Sequence, residues 1–128
     1  MNLLSIISIL GSHYISDFLL QSKLMANKKS KNIYWLITHG LVYGLSTFVI
    51  LLICNKLSLI NIDNNNLVLF VMLNMLVHIF VDTITSRLST KLYKMRKYRS
   101  FFNVIGLDQL IHTVTLLTSF NYFCNIIM

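Results

Sequence analysis

The sequence predicts an all-α fold: an integral membrane, antiparallel four-helix bundle with both termini outside the cytoplasm. Three observations carry this. Apolar residues come in runs near 20 long, the length needed to cross a bilayer as helix. The chain of 128 residues is 55% hydrophobic and only 12% charged, with no proline and no glutamate, where a soluble domain carries about 25% charged residues. Finally, ten of the eleven Lys and Arg lie in two segments between apolar runs, the pattern expected of cytoplasmic connectors. The length fits one transmembrane domain covering residues 1–128, and the expected location is the cell membrane, crossed several times.

The first helix is expected at about residues 2–20. Its start, MNLLSIISIL, has the apolarity of a signal-peptide core but no basic n-region and no small-x-small cleavage site, and His13 and Asp17 follow at once. It therefore reads as a retained helix. A basic segment, KLMANKKSK, follows from Lys23 to Lys31. The second helix is expected at 33–54. A polar, Asn-rich connector then runs from Asn55 to Asn66 with one Lys and one Asp. The third helix is expected at 67–97, apolar to Ile84 and continuing as a basic extension with Leu88, Leu92 and Met95 at helical spacing, as for a helix lying on or leaving a membrane surface. The fourth is expected at 101–127. The two basic connectors follow the first and third helices, so they share one side, and positive charge makes that side cytoplasmic. The net charge of +7 is accounted for by this segregation, and nucleic acid is not an expected partner. Cys54 and Cys124 lack CxxC spacing and read as ordinary residues of apolar helices.

The polar residues inside these spans carry the functional signal. All four histidines and three of the four aspartates lie there, Asp63 being the exception. They form the pairs His13/Asp17, His78/Asp82 and Asp108/His112, each four residues apart and so on one helical face, with His39 as a seventh member. Counted from the nearest basic residue at ~1.5 Å per residue, they occupy one layer roughly 7–20 Å inside the cytoplasmic boundary. The first and third helices read His-xxx-Asp; the fourth runs the opposite way and reads Asp-xxx-His. All three aspartates thus face the cytoplasm with their histidines deeper. Each half of the chain has a His-xxx-Asp helix followed by a helix carrying a histidine, a hint of duplication that suits two metals.

Ionisable groups at this depth are costly and need a partner, an ion or water. Imidazole and carboxylate together suit a divalent metal, zinc first, with iron or manganese as alternatives. Seven candidate ligands, His13, Asp17, His39, His78, Asp82, Asp108 and His112, exceed the needs of one tetrahedral ion and match two, with a carboxylate bridging. Such a pair can generate a nucleophile at neutral pH and clamp the oxygens of a phosphoester. The expected function is therefore a binuclear metal-dependent hydrolase acting on a polar bond of a lipid or amphiphile from the cytoplasmic side. Asp82 and Asp108 are the catalytic carboxylates, and Arg87, five residues beyond Asp82, is the cation at the mouth. Lys23 and Lys28 are further candidates to hold an anionic headgroup, although topology and membrane lipid explain these cations equally well. Gln21, Tyr43 and Gln109 can orient ligands or simply pack; Gln109 points about 100° away from Asp108 on the helical wheel. The alternatives are a membrane di-iron oxidase or hydroxylase, disfavoured by the missing Glu-x-x-His, and a non-enzymatic ion or proton carrier or interaction protein.

His13-xxx-Asp17-Phe18-Leu19-Leu20-Gln21, then Lys28, His39-xxx-Tyr43, His78-xxx-Asp82 and Asp108-Gln109-xx-His112 resemble the pattern of a small membrane family of bacteria and phages known as domain of unknown function 3307. The resemblance covers nearly the whole chain and implies no activity. More loosely, the sequence is similar to membrane-bound metal-dependent hydrolases. The His-xxx-Asp helices are similar in motif to the multi-zinc phospholipase C and nuclease fold, which implies a reaction class and no residue assignments.

Overall fold

The computed structural model describes residues 1–125. Within them the chain is all helical: α1 (Leu3–Tyr14), continuing through a π-helical turn (Ile15–Leu19), then α2 (Lys23–Lys28), α3 (Ile33–Lys56), α4 (Asn64–Lys94) and α5 (Tyr98–Asn125). α3, α4 and α5 are long and apolar enough to cross a membrane, and the first helix, Leu3–Leu19, is shorter. α2 lies in the segment expected to be a basic connector, α3 and α4 begin or end within three residues of expectation, and residues 126–127 of the expected fourth helix lie outside the described residues.

The helix starts follow local chemistry. Asn2, Ser22, Asn32 and Asp63 each accept a hydrogen bond from a backbone N–H in the first turn of α1, α2, α3 and α4, satisfying donors that the helix leaves free. α3 and α4 end alike. Ser58 and Arg96 adopt positive φ, 59° and 57°. Leu59 N–H then bonds Cys54 O and Lys97 N–H bonds Leu92 O, both at 2.9–3.0 Å, closing Schellman motifs with non-glycine residues in the left-handed position. The π-turn is closed by Leu20 N–H to Ile15 O at 3.0 Å, a five-residue step that accommodates one more residue than an α-turn.

α4 packs most extensively, against α5 on one side and α3 on the other; α1 contacts α3 and α5. Between α4 and α5, Asn66 donates to Phe123 O, Asn74 to Ser119 Oγ and Thr85 to Asp108 Oδ1, so residue numbers rise along one helix as they fall along the other. Between α3 and α4 the contact is closer. A Cβ placed on Gly40 would overlap Ile79, and one on Gly44 would stand 2.6 Å from Met75 Sδ. Gly40-xxx-Gly44 is a small-xxx-small stripe that lets two helices approach, and it meets Met75 and Ile79, also one turn apart.

The interior has two unlike ends. At the end nearest the 57–63 connector, Ile9, Leu51, Ile60, Ile62, Leu67, Phe70, Val71, Leu116 and Phe120 form an apolar core. Asn55 clamps the connector onto it with two hydrogen bonds to Ile62. Cys54 and Cys124 are free thiols packed against that core. At the other end the buried residues are polar. Among the described residues thirteen buried side chains are polar or charged against twelve apolar, while large apolar residues line the outer faces of every helix. This is the reverse of a water-soluble domain.

A buried histidine and aspartate cluster

Four helices bring the polar side chains to one place. The Gly40–Ile79 contact puts His39 and His78, each one residue before, on facing sides of α3 and α4. Their Nε2 atoms stand 2.9 Å apart. Asp17 Oδ1, delivered by the π-turn, is 3.2 Å from His39 Nε2 and 3.5 Å from His78 Nε2. π-turns often mark such sites because they re-aim a side chain that a regular helix would point elsewhere. Asp82 spans the cluster. Its Oδ2 is 3.3 Å from His39 Nε2 and 3.7 Å from His78 Nε2, while its Oδ1 is 3.7 Å from His112 Nε2. Asp108 Oδ1 lies 3.5 Å from His112 Nε2 and accepts a 2.6 Å hydrogen bond from Thr85.

Two sets of three in this cluster have the spacing of metal ligands, Asp17–His39–His78 and His78–Asp82–His112, all five residues being buried. Donors about 2.0–2.1 Å from a tetrahedral zinc stand roughly 3.4 Å from one another, close to the 3.2–3.7 Å separations above. His39 Nδ1 and His78 Nδ1 are buried and have no hydrogen-bond partner, and neither has His112 Nε2, so the interactions of His39 and His78 all fall on Nε2.

His13 is placed differently from the other six expected ligands. Its Nδ1 meets Tyr43 Oη and its Nε2 meets Gln109 Oε1, both at 3.2 Å. Gln109 Nε2 donates to Asp17 Oδ2 at 3.3 Å and to Asp108 Oδ2 at 3.0 Å. The two carboxylates thus fix the amide so that its oxygen accepts from His13 Nε2. Asp17 Oδ2 is 3.9 Å from that nitrogen. Tyr43 also stacks face to face on His78, with centroids 4.0 Å apart and planes 7° from parallel, which fixes the tilt of that imidazole.

Gln109 was expected to face away from Asp108, and on the helix it does. But α5 touches α4 and α1, so adjacent residues reach two different neighbours and rejoin at the cluster. Gln21 lines the cleft below it, its Oε1 buried without a partner. The cation at the mouth is Lys29, a residue the sequence pattern does not single out. Its ammonium donates to Asp82 Oδ2 at 2.7 Å and lies 3.4 Å from His39 Nε2. Arg87, the expected cation, lines a neighbouring groove instead. Arg87 stands five residues after Asp82, about 140° round the helix from it, whereas Lys29 reaches inward from the turn between α2 and α3. Lys28 lies over Trp35, 5.4 Å from the ring centroid; Lys23 is exposed.

A cleft of about 180 Å³ opens from the cluster. Asp17, Asp82 and Asp108 form its floor; Lys29, Ser30, Thr85, Ser86, Ser89 and Thr90 line its walls. Phe18, Ala26, Val104 and Ile105 add apolar lining, so polar and apolar surface share the cleft about equally. The family model described as protein of unknown function (DUF3307) matches residues 5–127, and the chain belongs to that family. No curated protein and no solved structure matches the chain.

Proposed function

We propose that this DUF3307 member is a multi-pass protein of the cell membrane whose antiparallel helices hold a binuclear metal centre, and that the centre hydrolyses a phosphoester or similar polar bond of an amphiphilic substrate reaching it from the cytoplasmic side. The observation that carries the reading is the Asp82 carboxylate, whose two oxygens turn to two different sets of donors. One imidazole nitrogen binds one ion, so two ions would divide the cluster. Asp17, His39 and His78 would hold the first, His112 and Asp108 the second, with Asp82 within reach of both. The apolar outer faces of the helices and the polar interior support placement in a bilayer, and the segregated basic residues support a cytoplasmic mouth.

Two divalent ions held there supply a nucleophile at neutral pH and neutralise charge on the attacked group. The chain's residues do the rest. Tyr43 and the Gln109–His13 pair hold His78, Asp17 and Asp108 in place, as outer hydrogen bonds do for metal ligands. Lys29, whose ammonium has protons beyond the one it gives Asp82, and the Ser30 hydroxyl offer donors to the oxygens of a bound anion. Burial of the cluster between the helices strengthens every charge interaction inside it.

Elemental analysis of protein purified in mild detergent tests the reading. About two divalent ions per chain are expected, lost in His78→Ala while the helical circular dichroism is retained. Zinc or manganese supports the hydrolase; iron with oxygen-dependent optical bands supports an oxidase instead. Metal-free protein that conducts protons or ions in liposomes would replace the enzyme with a carrier.

A further inference from the structure

Beside the cleft runs a second groove, of about 440 Å³, lined by Lys31 from the turn before α3 and by Arg87, Lys91 and Lys94 of α4. The three α4 residues fall at i, i+4 and i+7, on one helical face. Like charges at that spacing repel along a helix; Lys91 and Lys94 gain from the carbonyl end of α4, in whose last turn they sit, an attraction that Arg87, two turns earlier, does not share. Among the described residues no acid pairs with any of the four. Asp17, Asp82 and Asp108 belong to the buried cluster, and Asp63 caps the far end of α4. Lys29 and Lys28, the neighbouring cations, are already engaged by Asp82 and Trp35. Ser30 and Thr90 line both groove and cleft, so the two cavities adjoin.

We propose that this groove is a second ligand site, separate from the metal cluster, and that it takes a phosphate-class anion. Ammonium and guanidinium groups match phosphate oxygens by charge and by hydrogen bonding, and the Ser30 hydroxyl adds a neutral donor. Arg87 to Lys94 lie about 7–18 Å along the helix from Asp82. A molecule whose reacting bond sits on the cluster would place a second anionic group there. That use of the groove rests on the hydrolase reading; the anion site itself does not.

The test is binding to the protein in phosphatidylcholine nanodiscs, before and after chelation of metal. Inorganic pyrophosphate is titrated by calorimetry, and phosphatidic acid retained by the protein is counted by native mass spectrometry. Binding of either that survives chelation, and that weakens about tenfold in Arg87→Gln and in Lys31→Gln, establishes the site. Pyrophosphate alone marks a soluble ligand and phosphatidic acid alone a lipid headgroup. Lys31→Gln leaves the charge of α4 intact, so its loss of binding does not arise from a disturbed helix. Binding of neither ligand to the wild type, or equal binding by both variants, overturns the proposal. Binding that disappears only on chelation also overturns it and leaves the metal centre standing, whereas a protein purified without any metal that still binds pyrophosphate removes the hydrolase and keeps the groove.

Discussion

At one end of the molecule Phe70 and Phe120 meet edge to face, 5.5 Å between ring centroids, among Ile9, Leu51, Leu67 and Leu116. At the other, His39, His78 and His112 crowd around Asp17 and Asp82. Both groups are buried between the same helices. The first is what packing alone would select. The second concentrates charge where it costs most, and three of its polar atoms have no partner within the protein. The apolar end holds the helices together, and the polar end is free to be organised around a ligand.

The widest test of that contrast joins both ends. Gly40→Val drives a branched side chain into Ile79 and pushes α3 from α4. Overpacking there costs about 3 kcal/mol, and because the same contact sets the His39–His78 spacing, metal content should fall with thermal stability. A variant that loses one and keeps the other would separate what the fold joins. Phe70→Ala comes next. It removes a ring from the apolar end at a cost of about 3 kcal/mol, so the melting temperature should drop while the metal stoichiometry stays unchanged; a drop in metal content would show that the ends are coupled. Lys29→Gln probes the polar end alone. Its ammonium contests Asp82 Oδ2 with any ion, and its removal should tighten divalent metal binding about tenfold, roughly 1.4 kcal/mol, as read by competition with a chromogenic chelator. Weaker binding would make Lys29 a support for the centre. The smallest effect belongs to Ser58→Gly. It relieves a left-handed serine beside the apolar end and should raise stability by about 0.5–1 kcal/mol with no change in metal.

Much of this arrangement is legible in the chain. The i, i+4 spacing of His and Asp, its reversal in the last helix and the common depth bring Asp17, His39, His78, Asp82, Asp108 and His112 together before any coordinates are consulted. What escapes has a physical reason in each case. Lys29 sits in a turn, where no periodicity says which way a side chain points, so its meeting with Asp82 depends on how α2 folds back. Gln109 depends on α5 having two neighbours. His13 shares the motif of the others, but its contacts with Tyr43 and Gln109 depend on which helices α1 meets, which spacing along the chain does not give. Gly40-xxx-Gly44, by contrast, is a readable signal for close helix approach, and it marks the pair of helices whose spacing the cluster depends on.

The π-turn at Ile15–Leu19 has a consequence for length variation along the chain. Its five-residue step stores one residue beyond a regular α-turn, so the first helix carries its own insertion. Deleting a single residue there would leave a regular α-helix with the segments on either side of the turn in about their present phase. His13 and Asp17 would become i, i+3 neighbours, still on one face, but the aspartate would lose the aim that the wide turn gives it toward His39 and His78. A one-residue deletion in this turn is thus a local re-aiming of one carboxylate, and metal content should fall while the helix and its packing survive.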